Sequence, residues 1–90
     1  MLYVCSVGNK YKIQAFEGYK ELRLDHKRVL NGKVYYINPR QLMVSTTLNY
    51  PIGQKVSIGG YPIGGKWFNL HELSITDKPL LENAKITERI

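Results

Sequence analysis

The chain has 90 residues, 43 % of them hydrophobic and 22 % charged, with one cysteine and a formal charge of +6. Those proportions describe a single globular domain with a thin core and exclude a disordered chain. No apolar run reaches membrane-spanning length, the first residues lack a signal peptide's basic leader, and the lone Cys5 forms no internal disulfide, so a reducing cytoplasm is expected.

Leu2 to Val7 and Tyr11 to Phe16 read as strands joined through Gly8-Asn9-Lys10. In the second, Tyr11, Ile13 and Ala15 fall on one face and Lys12 and Gln14 on the other. Cys5 lies in such a run and is expected to pack inside. Tyr19 to Leu30 alternates Leu22 and Leu24 against Glu21, Arg23 and Asp25, as a half-buried strand does. Asn31-Gly32 favours a type I′ turn, whose central residues both take φ > 0. Val29-Leu30 and Val34 to Ile37 then supply the arms of a hairpin. Asn38-Pro39 ends the second arm, and Gln41 to Leu48 is a further β-rich run.

A near-repeat follows. Tyr50-Pro51-Ile52-Gly53-Gln54-Lys55-Val56 returns eleven residues later as Tyr61-Pro62-Ile63-Gly64-Gly65-Lys66-Trp67. Each copy predicts a turn and a strand start, since proline fixes φ and glycine suits the turn's fourth position or a φ > 0 site. Trp67 to Ile75 predicts a strand, a short helical turn and a last strand. Thr76 or Asp77 before Pro79 opens a final helix with Leu80, Leu81 and Ala84 as its stripe; a mobile tail is the alternative. The division expected is a barrel domain over 1–76 and a tail or short helix over 77–90. Leu80, Leu81, Ile86 and Ile90 are then spare apolar residues, which predicts a homodimer, closed two-fold symmetry being commonest.

Short strands with Gly/Pro turns predict an all-β fold, a small barrel or a compact antiparallel sandwich. Gln54 to Ile75 resembles the end of an SH3-like barrel: a turn, a Gly-Lys-Trp strand, a 3₁₀ turn and a short closing strand. The resemblance is one of layout, covers residues 54–75 and implies that barrel. No KOW-type signature accompanies it, so no family follows from it.

Residues 1–66 carry a net charge of +7 and residues 67–90 a net charge of −1, and all seven tyrosines lie in the basic part. Such an excess favours an anionic partner or serves solubility. Aromatic faces stack on nucleobases while Lys and Arg hold phosphates. The candidate contacts are Tyr50, Tyr61 and Trp67 for stacking, and Lys55, Lys66, Arg28 and Lys33 for phosphate. Gly64 and Gly65 are candidates for a backbone anion nest. Against each stands a plainer role: glycines that permit tight turns, tyrosines that suit strands, and a cluster of Arg23, His26, Lys27 and Arg28 that protects a sheet edge.

Gly60 to Lys66 also fits the string G-x-x-x-x-G-K. Trp67 stands where a phosphate-binding loop has Ser or Thr, and no helix pattern follows, so the match is one of chance. His26, His71 and Cys5 lack zinc-ligand spacing, no nucleophile elbow occurs, and neither cofactor nor metal is expected. The function expected is therefore a non-enzymatic module for a phosphodiester-bearing ligand, either nucleic acid or a small or cyclic nucleotide. The alternative is a protein-interaction module, a small inhibitor or adaptor encoded by a virus or mobile element and acting on a host protein in the host cytoplasm. An aromatic groove built on Trp67 would take an extended peptide.

Overall fold

The alternating apolar runs fold, in a computed structural model describing residues 1–90, into eight strands and no helix. They are β1 (Leu2–Val7), β2 (Lys12–Ile13), β3 (Lys20–Leu24), β4 (Arg28–Asn38), β5 (Gln41–Thr46), β6 (Val56–Ile63), β7 (Trp67–Ile75) and β8 (Ala84–Arg89). No helix is long and apolar enough to cross a membrane. One sheet holds them all, in the order β2-β7-β3-β4-β5-β1-β8, with β6 on the other side of β7.

The sheet is mixed. β6 runs antiparallel along β7, while β2 and β3 share the opposite edge of β7, and both pair with it in parallel. The two free edges then meet. Gly53 N–H donates to Ile86 O and Ile86 N–H to Gln54 O, each at 2.8 Å, and Lys55 bridges to Lys85. The segment leading into β6 thus lies along β8, and the sheet closes into a small barrel. Closure satisfies the backbone groups that an open edge would leave to solvent or to another chain.

The inward faces fill the barrel with Tyr3, Cys5 and Val7 of β1, Leu42 and Val44 of β5, Val34, Leu22, Val56 and Ile58, and Phe68, Leu70, Leu73 and Ile75 of β7. Tyr3 is fully buried, and its hydroxyl accepts the Tyr50 N–H at 3.0 Å and lies 3.3 Å from Leu48 O. Burial of a phenol needs such partners, and they fasten the loop after β5 to the core. Cys5 is buried as expected, and burial pushes its thiol up to about 12.

Several local expectations are corrected. Asn31-Gly32 is not a turn: β4 runs through it unbroken. The hairpin turn lies earlier, over Leu24–Lys27, where Lys27 N–H donates to Leu24 O at 3.0 Å. Asp25 and His26 supply the two positive φ angles, 50° and 62°. Gly32 has a different reason to be glycine. A Cβ there would stand 2.7 Å from Leu22 Cδ2, so the absent side chain lets β3 pack across β4.

The three-residue step from Leu70 to Leu73 has a similar history. It reads as a helical turn but is a β-bulge: Gly59 faces Glu72 and Gly60 faces Leu70, leaving His71 as the extra residue of an unbroken β7. Gly60 has φ 148°, and a Cβ on it would strike the Asn69 carbonyl. The 3₁₀ turn expected from the SH3-like layout is therefore absent, as is an all-antiparallel sheet. The strand expected over Tyr11 to Phe16 shrinks to Lys12–Ile13. Finally, residues 84–89 form neither helix nor loose tail. They are β8, antiparallel to β1, with Ala84 and Ile86 in the core. Ile86 is 1 % exposed, so it is not spare, whereas Leu80 and Ile90 remain exposed.

Candidate functional site

The β6–β7 hairpin carries the most exposed aromatic surface. Pairing sets Tyr61 opposite Asn69 and Ile63 opposite Trp67, which puts these four on the face away from the buried Phe68 and Leu70. Gly64, at φ 64°, makes the turn, and Gly65 and Lys66 complete an exposed tip. β2 supports the hairpin from the other side: Lys12 N–H donates to Lys66 O at 2.7 Å and Gln14 N–H to Phe68 O at 3.0 Å. That register brings Lys12 beside Trp67, with its ammonium 5.7 Å from the indole centroid. Trp67 remains 42 % exposed. With Gln14, Ala15, Tyr36 and Ile63 it lines a groove of about 340 Å³. Tyr61 is held at the flank, its ring edge-on to His71 at 4.9 Å and its hydroxyl accepting from the Asn69 amide at 3.4 Å.

Tyr36 continues the surface away from the groove. Its ring meets Phe16 edge-on at 5.7 Å, and the Lys20 ammonium stands 5.3 Å from the Phe16 centroid. Tyr19, three residues beyond Phe16, lies 6.4 Å from Tyr35 and has the Lys33 ammonium 4.6 Å over its ring. Tyr35 and Tyr36 do face opposite ways, as alternation requires. The Phe16 pair therefore lies with Tyr36 against the core, and the Tyr19 pair lies with Tyr35 on the opposite face of β4.

The structure gathers Tyr61, Gly64, Gly65, Lys66 and Trp67 at one place, whereas Lys33 lies over Tyr19, beside Tyr35. The other candidates lie elsewhere. Tyr50 and Lys55 precede β6 and the Gly64-Gly65-Lys66 tip follows it, so the eight residues of β6 hold Lys55 and that tip about 25 Å apart. Tyr50 is half-buried against Tyr3, ring centroids 6.2 Å apart, and burial raises the pKa of its phenol. Lys55 bridges to β8. Arg28 begins β4, about 17 Å along the strand from Lys33, so the two make no single cationic strip. Lys12 and Tyr36 are the contacts that sequence reading passed over. The face shared by Lys12 and Gln14 was visible in the alternation, but its neighbour Trp67 was not. Comparison of the chain with protein-family models, curated proteins and solved structures finds no match.

A second polar constellation lies on the outer side of β3 and β7. Glu72 is buried there, with its Oε1 2.5 Å from His26 Nδ1 and its Oε2 accepting the Ser74 hydroxyl at 2.7 Å. His26 N–H donates to Ser74 Oγ at 2.8 Å. The order matters chemically. In a nucleophilic triad the histidine touches the hydroxyl, whereas here the serine is bonded to the carboxylate and is itself fully buried. The trio locks the Asp25-His26 turn onto β7, which accounts for two successive non-glycine residues at positive φ.

Proposed function

We propose that this protein is a binding module for a phosphodiester-bearing ligand, with Trp67 as the stacking platform and Lys12 and Lys66 as phosphate partners. The supporting observation is the exposed Trp67 with a lysine over its ring, at the mouth of a groove whose other aromatic wall is Tyr36. A cation over an exposed ring is worth about 0.5–1 kcal/mol. A base stacked on the ring is worth about 1–3 kcal/mol. A base therefore displaces the ammonium, whose flexible stem carries it to the adjoining phosphate. The net charge of +6 draws such a ligand in. Titrating the protein with a fluorescein-labelled oligothymidylate and a fluorescent cyclic nucleotide, by anisotropy at low salt, tests the reading. Trp67→Ala is expected to weaken binding by about tenfold or more. Wild-type protein that binds neither probe rejects it.

A protein partner is the second reading, favoured by one observation. Val4, Met43 and Tyr35 are laterally paired across β1, β5 and β4, and Val4 is buried without belonging to the core cluster. They form an apolar row on the outside of the barrel, with Leu2 and Ile37 exposed on the strands that flank it. Affinity recovery with and without nuclease separates the readings, since a protein bound at this row survives the treatment.

A further inference from the structure

We infer that Asn69 and Gln14 read the edge of the base stacked on Trp67, so that the site takes an unpaired base offering an N–H donor beside a ring acceptor. The inference rests on the phosphodiester reading above and deepens it. Two rows of outward side chains on three adjacent strands carry it. Pairing sets Ile63, Trp67 and Lys12 side by side across β6, β7 and β2. The next outward row is Tyr61, Asn69 and Gln14. Tyr61 pairs with Asn69, and the bond from Gln14 N–H to Phe68 O carries the β2–β7 register on to Asn69. The first row is apolar apart from the Lys12 ammonium, and the second is hydroxyl and amide throughout. Both lie on one face, away from the buried Ile13, Phe68 and Leu70 between them.

Asn69 stands about 7 Å along the strand from Trp67, which the half-width of a stacked base and one hydrogen bond of about 2.9 Å span together. A base on the indole therefore turns an edge to the amide row. Asn69 is oriented within that row. Its Nδ2 donates to the Tyr61 hydroxyl at 3.4 Å, and the Tyr61 ring is held edge-on to His71 at 4.9 Å. The Asn69 Oδ1 is thereby left to the ligand as an acceptor, which calls for an N–H on the base. Gln14 lines the Trp67 groove, and its carboxamide donates to the acceptor beside that N–H. Base pairing uses up such a donor and acceptor, so a base in a duplex cannot also meet the two amides. Because several bases carry the pattern, the row separates a free base edge from a blocked one more sharply than it separates one base from another.

The test compares ligands that differ at the base edge and keep the ring. In one arm, cyclic adenosine monophosphate is set against its purine analogue without the amine. In the other, a fluorescein-labelled oligouridylate is set against the same strand carrying 3-methyluracil, and against its duplex with a complement. Anisotropy and competition read the affinities. Removing or blocking the N–H is expected to weaken binding by about fivefold, the worth of one net hydrogen bond. The duplex should bind more weakly than the free strand. The double variant Gln14→Met and Asn69→Ala should bind the intact and the blocked ligand alike, whereas Trp67→Ala weakens both and keeps their ratio. Far-ultraviolet circular dichroism checks each fold. Either arm suffices to support the inference, and the arm that binds more tightly names the source of the base. Equal affinity for intact and blocked ligands in both arms overturns the inference and leaves the phosphodiester reading standing. A ratio that survives the double variant, or a duplex that binds as tightly as the strand, overturns it too. Failure of every probe overturns both.

Discussion

The Glu72 carboxylate occupies the space that a side chain on Gly59 would fill, across the β6–β7 ladder. The carboxylate cannot swing aside freely, because His26 and Ser74 hold its two oxygens. A glycine on one strand and a polar network on its neighbour are thus two halves of one arrangement.

Gly59→Ala is accordingly expected to displace Glu72, leave buried polar groups unpartnered and destabilise the fold by about 1–3 kcal/mol. Urea unfolding measures the loss. Combining it with Glu72→Ala should cost less than the sum of the single changes, because both act on one network. Strict additivity would show that the two residues act independently.

Insertions distinguish the true turns from the misread one. One alanine inserted between Asn31 and Gly32 moves the following β4 residues to the wrong faces and should abolish the native fold. The same insertion between Gly64 and Gly65 enters an exposed tip where an added Cβ meets nothing, and is expected to leave the fold intact. Circular dichroism and thermal melts of the two variants decide the matter.

Those contrasts mark how much was legible in the chain. The all-β class, β1, β5 and the buried Cys5 follow from alternation and apolar runs, which act locally. The β3–β4 turn did not follow, because Asp25 and His26 reach positive φ with help from Glu72, 46 residues away. Asn31-Gly32 has the stronger local turn preference, but its glycine serves the packing of Leu22. The Leu70–Leu73 spacing records a real break of phase whose cause is the bulge at His71, accommodated by Gly60 on the partner strand. At the site, exposed Trp67 was legible as a lone aromatic, whereas its pairing with Lys12 depends on the parallel register of β2 and β7. The repeat misled because similar heptads at opposite ends of one strand cannot share a ligand.

Cys5 gives a pH prediction. Its thiol rises from 9.0 to about 12 in the fold through burial. Below the unfolded value both states keep the proton and the thiol makes no difference. As pH climbs through the interval, the unfolded chain releases its proton first, so stability falls between 9 and 12. The loss approaches about 4 kcal/mol at the upper end. Cys5→Ala should flatten that part of the stability curve. Native Cys5 should also resist a thiol reagent at neutral pH and react at the rate of unfolding; immediate labelling would refute its burial.

Removing residues 84–90 is expected to unfold the protein. The change deletes Ala84 and Ile86 from the core and exposes both β1 and the segment at Gly53 and Gln54. Loss of the β circular dichroism signal is the anticipated result; retention of a native spectrum would return these residues to the status of a tail. Light scattering on the full chain reads its assembly separately.

The parallel pairing of β7 has a consequence for synthesis. A nascent chain makes β2 and β3 long before β7 leaves the ribosome, and β2 has no other strand to join. The antiparallel neighbours β3, β4, β5 and β1 can assemble as they emerge. The rest of the barrel must wait for residues 67–75, and then for β8 to seal it. In that interval the waiting strands are exposed to association with other chains. The protein's yield in a cell should therefore depend on translation speed and chaperone supply more than the stability of its finished fold suggests.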